Sequence, residues 1–194
     1  MILETCIETV SGKLLDLANP TIDQINIIDI AWSLSRAPRF GGHTINIIPF
    51  NVCDHCIFVS EILKSKNYSS RIQMLGLLHD ASECYTSDIS GPLKKIPELR
   101  KAIKPIELRI QKVILEAFDI AEPSEEEEKV IKTADLYSQK IEAYNFMPSR
   151  GAHWIGMPDI GLKELQSFKP PKSSIDSYDE FLRLFNQLLP LQSN

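Results

Sequence analysis

Apolar side chains return every three to four positions in six stretches of this 194-residue chain, and most of the prolines and glycines fall between them. Ile27, Ile30, Ala31 and Leu34 make the first such face; Asn26 opens it as N-cap with Asp29 as capping partner, and the helix closes before Pro38. Val52, Cys56, Val59 and Leu63 form the second face. Ile72, Leu75 and Leu78 form the third, which predicts a helix from about Arg71 to Cys84. Pro105 suits the first turn of a fourth helix running to about Phe118, with Ile106, Ile110, Val113 and Ala117 on one side. Ser124 and Glu127 make a capping box for the fifth, whose acidic first turn complements the helix dipole and whose buried face is Val130, Ala134, Tyr137, Ile141 and Tyr144. The last starts at Ser177, with Glu180 completing its box, and packs Phe181, Leu184, Phe185 and Leu188.

Outside these stretches the pattern is weaker. Residues 1–25 mix β-branched residues with Gly12 and Pro20 and read as a short hairpin-like arm turning at Ser11-Gly12. Residues 146–173 hold three glycines and four prolines and read as a long irregular segment. Strand signals are otherwise faint, so the expected fold is all-α: one domain, with a core over about 26–145, an extension over 146–194 and the N-terminal hairpin.

Composition narrows what this domain can do. Hydrophobic residues at 43% and charged residues at 24% are ordinary globular values. A net charge of -5 argues against a nonspecific duplex nucleic-acid binder, which needs a basic face, yet leaves room for a small anionic ligand met by local lysines. No apolar run reaches the length of a membrane span, and Glu4 and Glu8 replace the basic start of a signal peptide, so a cytoplasmic location with reduced cysteines is expected. Cys53 and Cys56 flank His55 and invite a zinc-site reading. A Cys-x2-Cys site needs a second ligand pair, which Cys6 and Cys84 do not supply, so small buried hydrophobes are the better account.

The stretch RIQMLGLLHDASECYTSD is where chemistry concentrates: His79, Asp80, Glu83 and Asp88 follow an apolar run within ten positions. Adjacent His and Asp project about 100° apart on a helix, so a shared ion needs further ligands from elsewhere. His55 on an earlier amphipathic stretch and Asp135 in KTADLY on a later one offer them. Two His and two Asp suit a catalytic metal with open water positions better than a closed structural zinc site.

These residues resemble an HD-domain phosphohydrolase: His55 matches the first histidine, His79 and Asp80 the HD doublet, and Asp135 the distant aspartate. HDASECYTSDISGPLKK is similar to the HDxxE...D...P.K segment of bacterial 5'-deoxynucleotidases and phage dATP triphosphohydrolases. The resemblance implies a helical bundle, a divalent ion (Co, Mn, Zn or Mg), and a homo-oligomer, dimer or larger, in a cytoplasm that is the host's if the chain is of phage origin. It implies hydrolysis of the 5' ester of a 2'-deoxynucleotide, with a dNTP split into deoxynucleoside and triphosphate as the leading expectation. A 5'-deoxynucleotidase acting on dNMPs is the alternative, and a nucleotide-binding regulator with little turnover the third reading. Glu83, one turn after His79, is the expected general base, and Asp88 an acid or an orienting group. Lys94, with Lys95 beside it, is the candidate phosphate contact; Arg36 or Arg39 could bind phosphate or sugar, and Phe40 offers a stacking ring, where the deoxynucleotidases carry Arg followed by Trp. His43 and Thr44 are weaker substrate candidates, and His153-Trp154 reads as local packing.

Overall fold

The computed structural model describes residues 4–189, apart from Ser167 and Lys169. The chain ends assigned above to the arm and the extension, residues 1–3 and 190–194, lie outside the described residues. The all-α expectation holds, with a two-stranded antiparallel hairpin, β1 (Cys6–Glu8) and β2 (Leu14–Asp16), ahead of the helices. Gly12 supplies the positive φ of its turn, as the Ser11-Gly12 pair predicts.

Asp29 departs from its expected role. The Asn26 side chain caps α1 (Ile27–Leu34) by accepting from the Ile28 amide, while buried Asp29 accepts from the Thr9 hydroxyl at 2.8 Å and from the Ser11 amide and hydroxyl at 2.8 and 2.7 Å. The carboxylate thus pins the hairpin turn to the bundle instead of completing a cap. After α1 the chain turns through Arg39–Gly42, where Phe40 takes a left-handed φ of 57°.

Helix α2 (Val52–Ser65), capped by Asn51, is the centre of the bundle, and most of its residues are buried. It packs against α3 (Ser70–Leu77), α7 (Glu125–Phe146) and α9 (Ser174–Leu188). Gly76 is where α3 comes closest: a Cβ there would meet Leu63 Cδ1 at 2.4 Å, and Leu63 is fully buried. Gly76→Ala should therefore destabilise the fold by roughly 1–3 kcal/mol, because the overpacked leucine has nowhere to move. Thermal or urea unfolding of the variant measures this, and an unchanged midpoint would contradict the close packing.

The predicted helix from Arg71 to Cys84 is broken. α3 stops at Leu77, residues 78–82 form a turn, and a short α4 (Glu83–Thr86) follows. The cause is Gln111 on α6 (Pro97–Ala117), whose amide donates to the Leu78 carbonyl at 2.7 Å and accepts from the Ser82 amide at 3.1 Å. Those two groups would bond each other in a continuous helix, so the inserted side chain holds the turn open.

α5 (Gly91–Lys94) precedes α6, which starts at Pro97 and carries Pro105 inside it, not in its first turn. The carbonyl that Pro105 cannot bond belongs to Lys101, on the exposed side of the helix where water can reach it. The Ser124–Glu127 capping box of α7 forms as predicted. α9 begins one turn earlier than expected, capped by Ser173; Ser177 is instead buried, donating to Asp54 at 2.8 Å. The described residues between α7 and α9 are irregular except for α8 (Leu162–Leu165), and Phe168 packs its ring against Phe50, Phe58 and Phe146. Among the described residues no helix is long and apolar enough to cross a membrane.

Candidate metal centre

Two helices and the α3–α4 turn bring the four predicted ligands together. His55 comes from the middle of α2, His79 and Asp80 from the turn that Gln111 holds open, and Asp135 from α7. The Nε2 atoms of the two histidines stand 3.2 Å apart. Asp80 Oδ2 lies 3.6 Å from His55 Nε2 and 3.3 Å from His79 Nε2, and Asp135 Oδ1 lies 3.3 and 4.0 Å from the same atoms. His55, His79 and Asp135 by themselves form a cluster that could hold a metal ion.

The far side of each imidazole shows why the donors fit a cation. His55 Nδ1 is 2.6 Å from Glu142 Oε1 and His79 Nδ1 is 2.8 Å from the Gly76 carbonyl, so acceptors hold the proton on Nδ1 in both rings. Two Nε2 lone pairs then face each other between two carboxylates, an arrangement that repels itself unless positive charge sits among them. The pKa directions agree. Burial lowers the His79 imidazole, but Asp80 and Cys56 together outweigh it and raise it well above its ordinary value; His55 is raised too, as Glu142 and Asp135 outweigh burial and Arg39. Burial raises Asp80 and Asp135, and the imidazoles more than reverse this, holding both low.

Around the cluster, Arg39 is buried with its guanidinium 3.6 Å from Asp80 and 3.5 Å from Glu142. Phe40 follows it, edge-on to Trp154 at 5.5 Å between centroids. Glu83 lines a cleft beside His79 and Asp80, and its carboxyl is pushed up to about 8 by burial and by the charges of Asp80 and Asp88, against the pull of Lys94. Asp88 is also raised, chiefly by burial and by Asp80, with Arg39 and Lys94 opposing. Lys94 bridges Glu83 at 2.8 Å and Glu107 at 2.9 Å, so its charge is committed within the protein. Arg36 stands apart: it is exposed, stacks 3.4 Å over the Trp32 ring and donates to the Trp32 carbonyl, with no cluster residue among its described contacts. Cys53 is buried and donates to the Ser177 carbonyl, and Cys56 is buried beside His79, as the reading of both as small buried residues expects.

Glu142 was missed from the sequence. The signal was there: Asp135, Ser138 and Glu142 fall at i, i+3 and i+7 on α7, a polar line within its buried face. Glu142→Gln should loosen the hold on His55 and weaken divalent-metal affinity by about 10–100-fold. Calorimetric titration with zinc or cobalt would show it, and an unchanged Kd would remove Glu142 from the support of the site.

The fold is thus a mainly helical bundle in which His55, His79 and Asp135, from three separate segments, form a mixed nitrogen and oxygen cluster that could bind a metal ion, with Asp80 beside them. The chain belongs to the family of the uncharacterized Rhodobacter capsulatus protein RCAP_rcc00048, with which it is 30% identical over 155 residues, 77% of this chain and 78% of that one. It is 29% identical over 187 residues to the uncharacterized Escherichia coli K12 protein YfdR, spanning 96% of this chain and 97% of YfdR. It is also 27% identical over 146 residues to the 5'-deoxynucleotidase PM0747 of Pasteurella multocida, covering 63% of this chain and 70% of that protein. No family model matches the chain.

Proposed function

We propose that this chain is a metal-dependent phosphohydrolase of the HD type acting on 2'-deoxynucleotides, and that its substrate is the 5'-monophosphate. The observation that carries the reading is the meeting of His55, His79, Asp80 and Asp135, with carboxylate oxygens of both aspartates 3.3–4.0 Å from the two Nε2 atoms, beside the cleft that holds Glu83. The choice of monophosphate over the triphosphate favoured by the sequence resemblance follows the name of the relative PM0747, a 5'-deoxynucleotidase.

A divalent ion held by the two histidines and two aspartates would polarise the phosphoryl oxygens and acidify the attacking water. The residues of the chain supply the rest. Glu83, a stronger base than an exposed glutamate because it is buried beside two carboxylates, takes the proton as the water oxygen bonds to phosphorus. Lys94 fixes the orientation of that carboxylate. The bond from phosphorus to the 5' oxygen breaks, and Asp88, whose raised pKa favours its protonated form, returns a proton to the leaving oxygen. Arg39, locked between Asp80 and Glu142, balances the charge of those two carboxylates beside the histidines. Phe40 and its edge partner Trp154 offer an apolar wall for the base.

Separation of products after incubation with each dNMP, the matching ribonucleotides and each dNTP tests the substrate. The expected result is deoxynucleoside and orthophosphate from dNMPs. Deoxynucleoside and inorganic triphosphate from dNTPs alone would make the protein a triphosphohydrolase, and binding without product would make it a regulator.

A further inference from the structure

Two clefts open onto His79 and Asp80, one on either side of Leu108 and Gln111 of α6, and their charges differ. In the larger, of about 800 Å³, Lys112 is paired with Glu122 at 3.1 Å and Lys132 with Asp135 at 2.6 Å, and the remaining lysine, Lys129, shares the wall with Glu125 and Glu128. A phosphate dianion meets more negative than positive charge there. The smaller, of about 270 Å³, contains Glu83, Lys94, Glu107, Arg100 and Lys104. Lys94 is shared between the two glutamates. Arg100 and Lys104 are not engaged in this way: both are exposed, and among the described residues no carboxylate pairs with either. Four residues apart on α6, they project from one face of the helix into the same cleft, so a single anion can meet both.

We infer that Arg100 and Lys104 are the phosphate-binding pair of this site, and that the ligand they take is a phosphate group of the bound nucleotide. They assume the role that the sequence gives to Lys94, whose charge the protein has already used to hold Glu83. An arginine fork and a flexible ammonium on one helix face suit a tetrahedral dianion, and a cleft with protein walls concentrates their field toward His79 and Asp80, which line the same cleft. The assignment rests on the phosphohydrolase reading for the identity of the nucleotide, and on the cleft alone for the affinity for phosphate.

The test compares wild type with the double variant R100A/K104A, both metal-loaded. Calorimetry measures binding of inorganic phosphate and inorganic triphosphate, and kinetics give kcat and KM for a dNMP and the matching dNTP. Both side chains are exposed, so the variant should keep the wild-type circular dichroism and Tm. Phosphate Kd and nucleotide KM should rise by about 10-fold or more, with kcat changed by less than about 3-fold. An equal loss on the dNMP and the dNTP places the pair on the scissile phosphate; a loss confined to the dNTP and inorganic triphosphate places it on a phosphate beyond. Unchanged phosphate binding and unchanged KM overturn the assignment. A wild type that turns over no nucleotide, with phosphate binding weakened in the variant, overturns the nucleotidase reading and leaves the pair in place.

Discussion

Asp80→Ala protein should fold normally and retain neither divalent metal nor measurable phosphohydrolysis. Asp80 sits in the turn between α3 and α4 with its side chain 26% exposed, so its removal leaves no void in the core. The turn itself is held by backbone and side-chain bonds from Gln111 and by the bond between His79 and the Gly76 carbonyl, none of which uses the Asp80 carboxylate. Arg39 loses one of its two carboxylate neighbours and keeps the other, Glu142. What the variant lacks is the more exposed of the two carboxylates beside the Nε2 atoms, 3.3 Å from that of His79 and 3.6 Å from that of His55. Losing a direct ligand should cost more than losing a residue that only supports one, so metal affinity should fall by well over ~100-fold. Metal analysis after dialysis, read beside circular dichroism, gives the answer. A folded variant that kept stoichiometric metal would remove Asp80 from the ligand set.

The Glu83→Gln change separates the metal from the proton transfer. Glutamine keeps the shape of the side chain and its burial but cannot accept a proton from water. Lys94 still has Glu107 at 2.9 Å, so the cleft stays organised. Turnover should drop by at least ~100-fold while metal content and nucleotide Kd stay near wild type. If metal fell with activity, Glu83 would belong to the ligand set; if turnover were unimpaired, the base would have to be sought elsewhere, with Asp88 first in line.

The helices were legible where apolar spacing and caps agreed. Asn26, Ser124 and the apolar faces of α2, α7 and α9 read directly, as did the hairpin turn at Gly12. The failures share one cause, a local signal overridden by a distant partner. Apolar spacing carries Arg71 to Cys84 as one helix, but Gln111, almost thirty residues on, takes the groups that would continue it. Ser177 and Asp29 both look like helix-start residues, yet one serves Asp54 and the other the hairpin turn. The candidate site followed the same division. Its two histidines and two aspartates stand out because polar groups beside apolar faces are conspicuous, and the structure brings all four together. Glu142 was hidden because a glutamate in a helix is ordinarily solvated, and only its depth in the bundle marks it. Lys94 and Arg36 attract attention as cations near the motif. Which cations are free to meet a substrate depends on who else claims them, and that requires Glu83, Glu107 and Trp32 in place.

The most direct measurement is phosphate release from a deoxynucleoside 5'-monophosphate by protein stripped with a chelator, before and after addition of zinc, cobalt, manganese or magnesium. No release from the stripped protein, and deoxynucleoside with an equal amount of orthophosphate once a divalent ion is restored, is the predicted result. Release that is indifferent to chelation, or no release with any of the four metals, would contradict the assignment of His55, His79, Asp80 and Asp135 as the metal centre of a 5'-deoxynucleotidase.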